Sequence, residues 1–312
     1  MWLLALLLLT DSTTVLRVPV APTETLRVSV TGTGEPVVLI PGLFGSSFGF
    51  RHVVRGLARA GYQAVVVEPL GIGASARPER ADYSLTAQAD RIAAVLDTLG
   101  VRDAIFVAHS LGASMALRLS YRRPDLARAV VSLEGGAAEA AATKSFRRAM
   151  RWAPWIKWFG GVRRVRDKVR EGLIAASGDP SWVTDSVLDA YTAGAAADLD
   201  ATLKAFLRMT DADEPEALEP HLGEIGCPVR LLLGTAPHEG GVPPEAVDVL
   251  RRDVGTFTVD SVPGSGHYIY EEQPGAVLAA VERILVHAPA AGPQSRGEET
   301  GAAAPADRRH PT

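Results

Sequence analysis

A chain of 312 residues, 47% hydrophobic and 22% charged, can bury a large core and reads as one α/β domain with an insertion. Its formal net charge of −4 excludes a general electrostatic binder of nucleic acid. The single cysteine, Cys227, excludes an internal disulfide, and no histidine pair has H-x-x-x-H or H-E-x-x-H spacing, so neither a metal nor a cofactor is expected.

Residues 1–24 read as an apolar segment and leader. The run from Met1 to Leu9 has the length of a signal-peptide core but is too short to span a bilayer. No Lys or Arg precedes it and no A-x-A site follows, so the compartment stays open between cytoplasm and export. From there strand and helix signals alternate, which favours a mostly parallel sheet flanked by helices. Strands are expected at 25–30, 36–40, 63–67, 104–108, 129–133, 229–233 and 256–262, and helices at 47–60, 84–99, 111–121, 244–252 and 274–286. The first two strands, separated by the polar turn 31–35, read as an antiparallel hairpin opening the sheet. The interval 135–226 interrupts the alternation with a helical pattern and reads as a cap inserted into a core of 25–134 and 227–287. Residues 288–312, rich in Ala, Gly, Pro and charge without periodicity, read as a disordered tail.

The strongest chemical signal lies at 104–114. An apolar strand runs into His109-Ser110-Leu111-Gly112, and a helix follows at once. In that strand–turn–helix context a serine sits at the tip of a strained elbow with its hydroxyl presented. Such a turn crowds backbone against backbone, so small residues are needed two before and two after the serine; Ala108 and Gly112 stand there. Ser110 is therefore the candidate nucleophile. Cys227, ahead of Pro228 at a strand entrance, reads as a packed thiol.

The runs Val38-Leu-Ile-Pro-Gly-Leu-Phe-Gly45, Glu68-Pro-Leu-Gly-Ile-Gly-Ala-Ser75, Ala108-His-Ser-Leu-Gly112 and Gly264-Ser-Gly-His267, in this order and spacing, resemble the α/β-hydrolase fold family in its capped form. The resemblance covers 25–287 and implies a serine hydrolase. It implies His267 as the base, in a glycine-rich loop after the last strand. It implies backbone N–H groups of Leu111 and Leu43 as the oxyanion hole, Leu43 following Pro41-Gly42 where the family commonly has His-Gly. The acid has two candidates. Glu134 ends the 129–133 strand ahead of two glycines, an arrangement resembling the haloalkane dehalogenase branch. Glu239 is the only carboxylate in the 235–242 loop, whose commoner acid position holds Pro237. His109 reads as packing or as a support behind the catalytic residues, and His238 is left without a role. Gly71 and Gly73 read as structural. Epoxide hydrolases and dehalogenases of this fold resemble each other in using an aspartate nucleophile, so Ser110 argues against both.

Residues 144–170 interleave basic side chains with Trp152, Trp155, Trp158 and Phe159. They read as a cap whose aromatics, Trp155 and Trp158 with Phe44 of the core, face the substrate. Two other readings stay open: a weak membrane-surface contact, and arginines that bind an anionic substrate. The functional expectation is a carboxylesterase- or lipase-like enzyme cleaving a small-molecule acyl substrate through a covalent acyl-enzyme. Alternatives are a cofactor-free perhydrolase or acyltransferase, a non-catalytic ligand-binding protein, and a membrane-associated scaffold. Oligomeric state is not legible.

Overall fold

The computed structural model describes residues 12–140 and 161–287. Its strands are β1 (Thr13–Ala21), β2 (Glu24–Thr31), β3 (Pro36–Ile40), β4 (Gln63–Glu68), β5 (Ala104–His109), β6 (Ala127–Leu133), β7 (Val229–Gly234) and β8 (Phe257–Val262). They form one sheet in the order β1-β2-β4-β3-β5-β6-β7-β8. The β1/β2 and β2/β4 pairings are antiparallel, and those from β4 onward are parallel.

Parallel strands buried on both faces need continuous apolar sequence, and their side chains alternate between the faces. Val38, Ile40, Val65, Val67, Phe106, Ala108 and Val130 enter one core. Their neighbours Val37, Leu39, Ala64, Val66, Ile105, Val107, Ala129 and Val131 enter the other. Helices α2 (Leu85–Leu99) and α3 (Leu111–Arg122) cover the first face, contributing Leu85, Ile92, Leu96, Met115 and Leu119. Helix α1 (Arg51–Arg59) and the later helix at Pro274–His287 cover the second, through Val53, Leu57, Val277 and Val281. The insertion contributes α4 (Gly161–Ala175), α5 (Asp185–Ala197) and α6 (Leu199–Asp211); α7 (Pro244–Asp253), the single turn α8 (Ile269–Glu272) and α9 (Pro274–His287) complete the order.

Three expectations are corrected. The opening hairpin joins β1 and β2, while β2 pairs with β4 and never with β3. Val37 to Ile40 are fully buried, so β3 belongs mid-sheet between two parallel neighbours rather than in a hairpin. Residues 13–21, assigned to a leader, are the edge strand; its exposure alternates, and Pro19 sits beside a register shift, where an edge tolerates proline. Helix α1 begins at Arg51 rather than Ser47. Ser47 instead donates its N–H, at 2.8 Å, and its hydroxyl, at 2.5 Å, to the Glu68 carboxylate. That buried carboxylate also accepts from Ala74 N at 2.6 Å and Arg27 at 3.1 Å, and a Cβ at Gly73 would collide with it. Gly71 and Gly73, both at positive φ, thus serve this turn.

Strands β3 and β5 are neighbours from which the chain moves outward in opposite directions. Their carboxyl ends define the switch point where an open α/β sheet holds its ligands. Among the described residues no helix is long and apolar enough to cross a membrane. The aromatic run with Trp152, Trp155 and Trp158, the apolar run 1–9 and the tail 288–312 lie outside the described residues.

Candidate active site

Ser110 ends β5 and starts α3 with φ 51° and ψ −118°, a conformation that costs a non-glycine residue about 1–3 kcal/mol. Its N–H continues the sheet ladder to Leu133 O at 2.9 Å, which over-determines the turn. The small neighbours have a measurable reason. A Cβ on Gly112 would stand 2.5 Å from Ile40 O, one on Gly135 2.5 Å from Ser110 O, and one on Gly42 3.1 Å from Ser110 Cβ. The Gly42–Leu43 backbone is thereby packed against the serine, and Leu111 opens α3, where the helix dipole favours an anion. Phe44 is 40% exposed and meets Phe206 of α6 edge to face at 5.1 Å, so a core loop and the insertion share this wall.

Glu134 stands at the end of β6, one strand over, also at positive φ (47°) and only 3% exposed. Its N–H bonds Leu232 O at 3.0 Å, its Oε1 accepts from the N–H of Gly234, and the carboxylate also accepts from the N–H of Val242. Burial raises its pKa, against those backbone hydrogen bonds and the neighbouring His238. Glu239, the alternative acid, is exposed, and its backbone N–H is tied to Ala175 O at 3.0 Å. Burial therefore separates the two glutamates that the sequence left open.

His267 is 9% exposed in the loop after β8. Its N–H donates to Ala176 O at 2.8 Å, and Gly266 N donates to Glu272 at 3.1 Å. Glu272 also accepts from Gly178 N and Asp179 N, each at 2.8 Å, which clasps this loop to the insertion. The ring lies 4.6 Å, centroid to centroid, from that of His109, whose Nε2–H donates to His267 O at 3.0 Å. His109 thus holds the base's backbone from beneath the elbow, and burial keeps it neutral. Burial, and secondarily the proximity of His238, lowers the His267 pKa to about 4, so the ring is neutral and can accept a proton at neutral pH.

Sequence spacing shows no metal-ligand pattern, yet the fold gathers one donor atom each from Glu134, His238 and His267 within 4.8 Å of one another. They come from three separate loops, so no local pattern could reveal them. His238 and Glu272 are the contributors that sequence reasoning missed, whereas His109 was read as packing or support next to the nucleophile. Of the basic cap residues, Arg166 pairs with Asp185 at 2.8 Å and Asp189 at 3.0 Å, and Arg170 with Asp185 at 2.5 Å. Both are engaged at the surface. Cys227 is buried, which pushes its thiol up to about 11.

A mostly parallel sheet with a strained serine elbow at its switch point and a loop histidine beside it defines the α/β-hydrolase fold. Residues 35–180 match the family model for the alpha/beta hydrolase fold, and the chain has that fold. A solved alpha/beta hydrolase fold protein from Burkholderia ambifaria superposes with a TM-score of 0.72 at 23% identity, over 86% of this chain and 99% of that one. The chain is also similar to the putative carbamate hydrolase RutD of Klebsiella pneumoniae (strain 342), 30% identical over 51% of this chain and 53% of the relative. It thus spans about half the length of that relative. It is 24% identical to the sn-1-specific diacylglycerol lipase ABHD11 of Mus musculus, over 80% of each chain.

Proposed function

We propose that the protein is a serine hydrolase cleaving a carboxylic ester or a related acyl compound. The observation that carries this is Ser110 held at φ 51° between β5 and α3, with a buried, neutral histidine ring packed against the preceding residue. In this reading Ser110 Oγ attacks the acyl carbonyl while His267 takes its proton. The N–H groups of Leu43 and Leu111 receive the oxyanion. Glu134 and His267, which offer atoms within 4.8 Å of one another, close to hydrogen-bond contact when the substrate complex tightens, as catalytic hydrogen bonds do. The carboxylate then fixes the imidazole tautomer and stabilises the imidazolium. His267 returns the proton to the leaving group, and water releases the acyl chain from Ser110 by the reverse sequence. A carbamate and a diacylglycerol, named for two relatives, both present such a carbonyl.

Fluorophosphonate labelling tests this. Wild-type protein is expected to label at Ser110, and Ser110→Ala to lose both labelling and turnover of a p-nitrophenyl ester. The expected rate loss is several orders of magnitude, leaving only residual catalysis from the oxyanion hole. Unchanged turnover in purified Ser110→Ala protein overturns the assignment.

A further inference from the structure

We infer that Glu134, His238 and His267 form a three-ligand site for a first-row divalent cation of the zinc type, and that its occupancy switches the hydrolase off. The regulatory half rests on His267 being the base; the binding half does not.

The polar atoms themselves point to a cation. Glu134 Oε2, His238 Nε2 and His267 Nδ1 are all buried and none has a hydrogen-bond partner. His238 Nδ1 lies 2.7 Å from Ala236 O. A carbonyl oxygen only accepts, so Nδ1 carries a hydrogen, and in the neutral ring Nε2 presents a bare lone pair. That lone pair faces Glu134 Oε2 at 3.6 Å, with side chains 8% and 1% exposed. Two acceptors facing each other in a buried pocket repel unless positive charge lies between them. Oε1 of the same carboxylate is committed to the N–H of Gly234, which leaves the unpartnered Oε2 as the oriented donor.

The geometry and the space both suit a cation. Metal bonds of about 2.0–2.1 Å at tetrahedral angles place ligand atoms about 3.4 Å apart, close to the 3.6 Å between His238 Nε2 and Glu134 Oε2. An Nδ1–H bound to a backbone carbonyl is the outer contact that orients a metal-binding imidazole. Two imidazoles and a carboxylate suit zinc and its neighbours better than calcium or magnesium, which take oxygen ligands. Room for the ion is kept by Gly240 and Gly241. A Cβ at Gly241 would stand 3.2 Å from His238 Nε2 and 3.8 Å from Glu134 Oε2, and one at Gly240 3.4 Å from His267 Nδ1.

Occupancy has a defined chemical consequence. A metal on Nδ1 of the neutral His267 ring leaves the ring hydrogen on Nε2. That nitrogen then donates and cannot take the proton of Ser110. Glu134, drawn to the cation, no longer orients the imidazole.

The test is calorimetric titration of Zn2+ into the chelator-stripped full-length protein, with fluorophosphonate labelling measured at each metal level. Wild type is expected to bind one equivalent and to lose labelling in proportion. A contact outside the ligand shell is worth about 10–100-fold in metal affinity, so His238→Ala, which removes a direct ligand, weakens binding at least that much. Gly241→Ala retains every ligand and fills the space with a methyl group, and it weakens binding as well. Glu239→Gln, on the exposed side of the same loop, binds as wild type does. Each variant is compared with its own metal-free labelling rate. Absence of stoichiometric binding by wild type, as a bridging water or shared proton would give, overturns the site. Equal affinity in His238→Ala and Gly241→Ala overturns it too. Full labelling of the zinc-loaded protein overturns the switch. Metal-free protein that neither labels nor turns over an ester refutes the hydrolase reading, while the titration still reports on the site.

Discussion

Replacing Glu134 by Gln separates orientation of the base from simple burial of a polar group. The Gly234 N–H, which donates to Glu134 Oε1, fixes which way a glutamine amide can lie. Its oxygen must face that donor, because the reverse would set N–H against N–H. With Glu134 and His267 offering atoms within 4.8 Å of one another, the amide nitrogen is then placed where Oε2 stood, toward that ring. It can only donate there, which stabilises the tautomer with hydrogen on Nε2 and takes the general base from Ser110. An acid-to-amide change that imposes the wrong tautomer in this way costs about 10⁴-fold in kcat, or about 5 kcal/mol of transition-state stabilisation. KM should change little, because the imidazolium forms only in the transition state. Glutamine retains the volume and the backbone hydrogen bonds, so thermal melting should fall little. The assay is steady-state hydrolysis of a p-nitrophenyl ester by metal-free protein, alongside a melting curve. Near-full kcat in a folded Glu134→Gln protein refutes the reasoning; a severe loss in Glu239→Gln would move the acid to the 235–242 loop.

Glu239→Gln is expected to leave kcat within about twofold, as for an exposed side chain away from special features. The acid limb of kcat/KM for the metal-free enzyme should lie near pH 4, because burial lowers His267 to about 4 from an ordinary 6.5; a limb at the free-imidazole value contradicts this. The same shift acts on stability. The unfolded ring takes up a proton below 6.5 while the folded one stays neutral, so this contribution is complete above pH 6.5 and declines by about 3 kcal/mol as pH falls through 4, measurable by urea unfolding. Gly112→Ala sets a methyl 2.5 Å from Ile40 O and 2.9 Å from Pro41 O, backbone atoms that cannot yield, and should cost about 1–3 kcal/mol in a urea melt together with loss of labelling. Arg118, wholly buried, donates to Ser114 Oγ at 2.6 Å and lies 3.6 Å from Glu214. Arg118→Met should destabilise by about 3 kcal/mol, since it leaves a largely buried carboxylate without its cation; an unchanged midpoint would discount the pair.

The local pattern of the sequence determined the fold class. Continuous apolar runs of five to seven residues between helical stretches are what parallel strands buried on both faces require, and β3 (Pro36–Ile40) was legible to the residue. The elbow was legible too, since crowding leaves room for nothing larger than Ala108 and Gly112 around Ser110. Pairing was not. Adjacency along the chain suggests a hairpin of β2 with β3, but burial of β3 on both faces, a property of the whole sheet, sends β2 to β4 instead. The start of α1 was hidden for a similar reason: a carboxylate 21 residues away, Glu68, captures the Ser47 that would otherwise cap a helix. At the site, sequence put Glu134 first and kept Glu239 as the alternative acid, because both follow strands. Only the packing of loops from β6, β7 and β8 buries one glutamate, leaves the other in solvent, and carries His238 from a position without a role to a place facing Glu134 and His267. Strand periodicity is written in neighbouring residues, whereas burial and the convergence of polar atoms depend on which loops meet, and that is decided by the closed core.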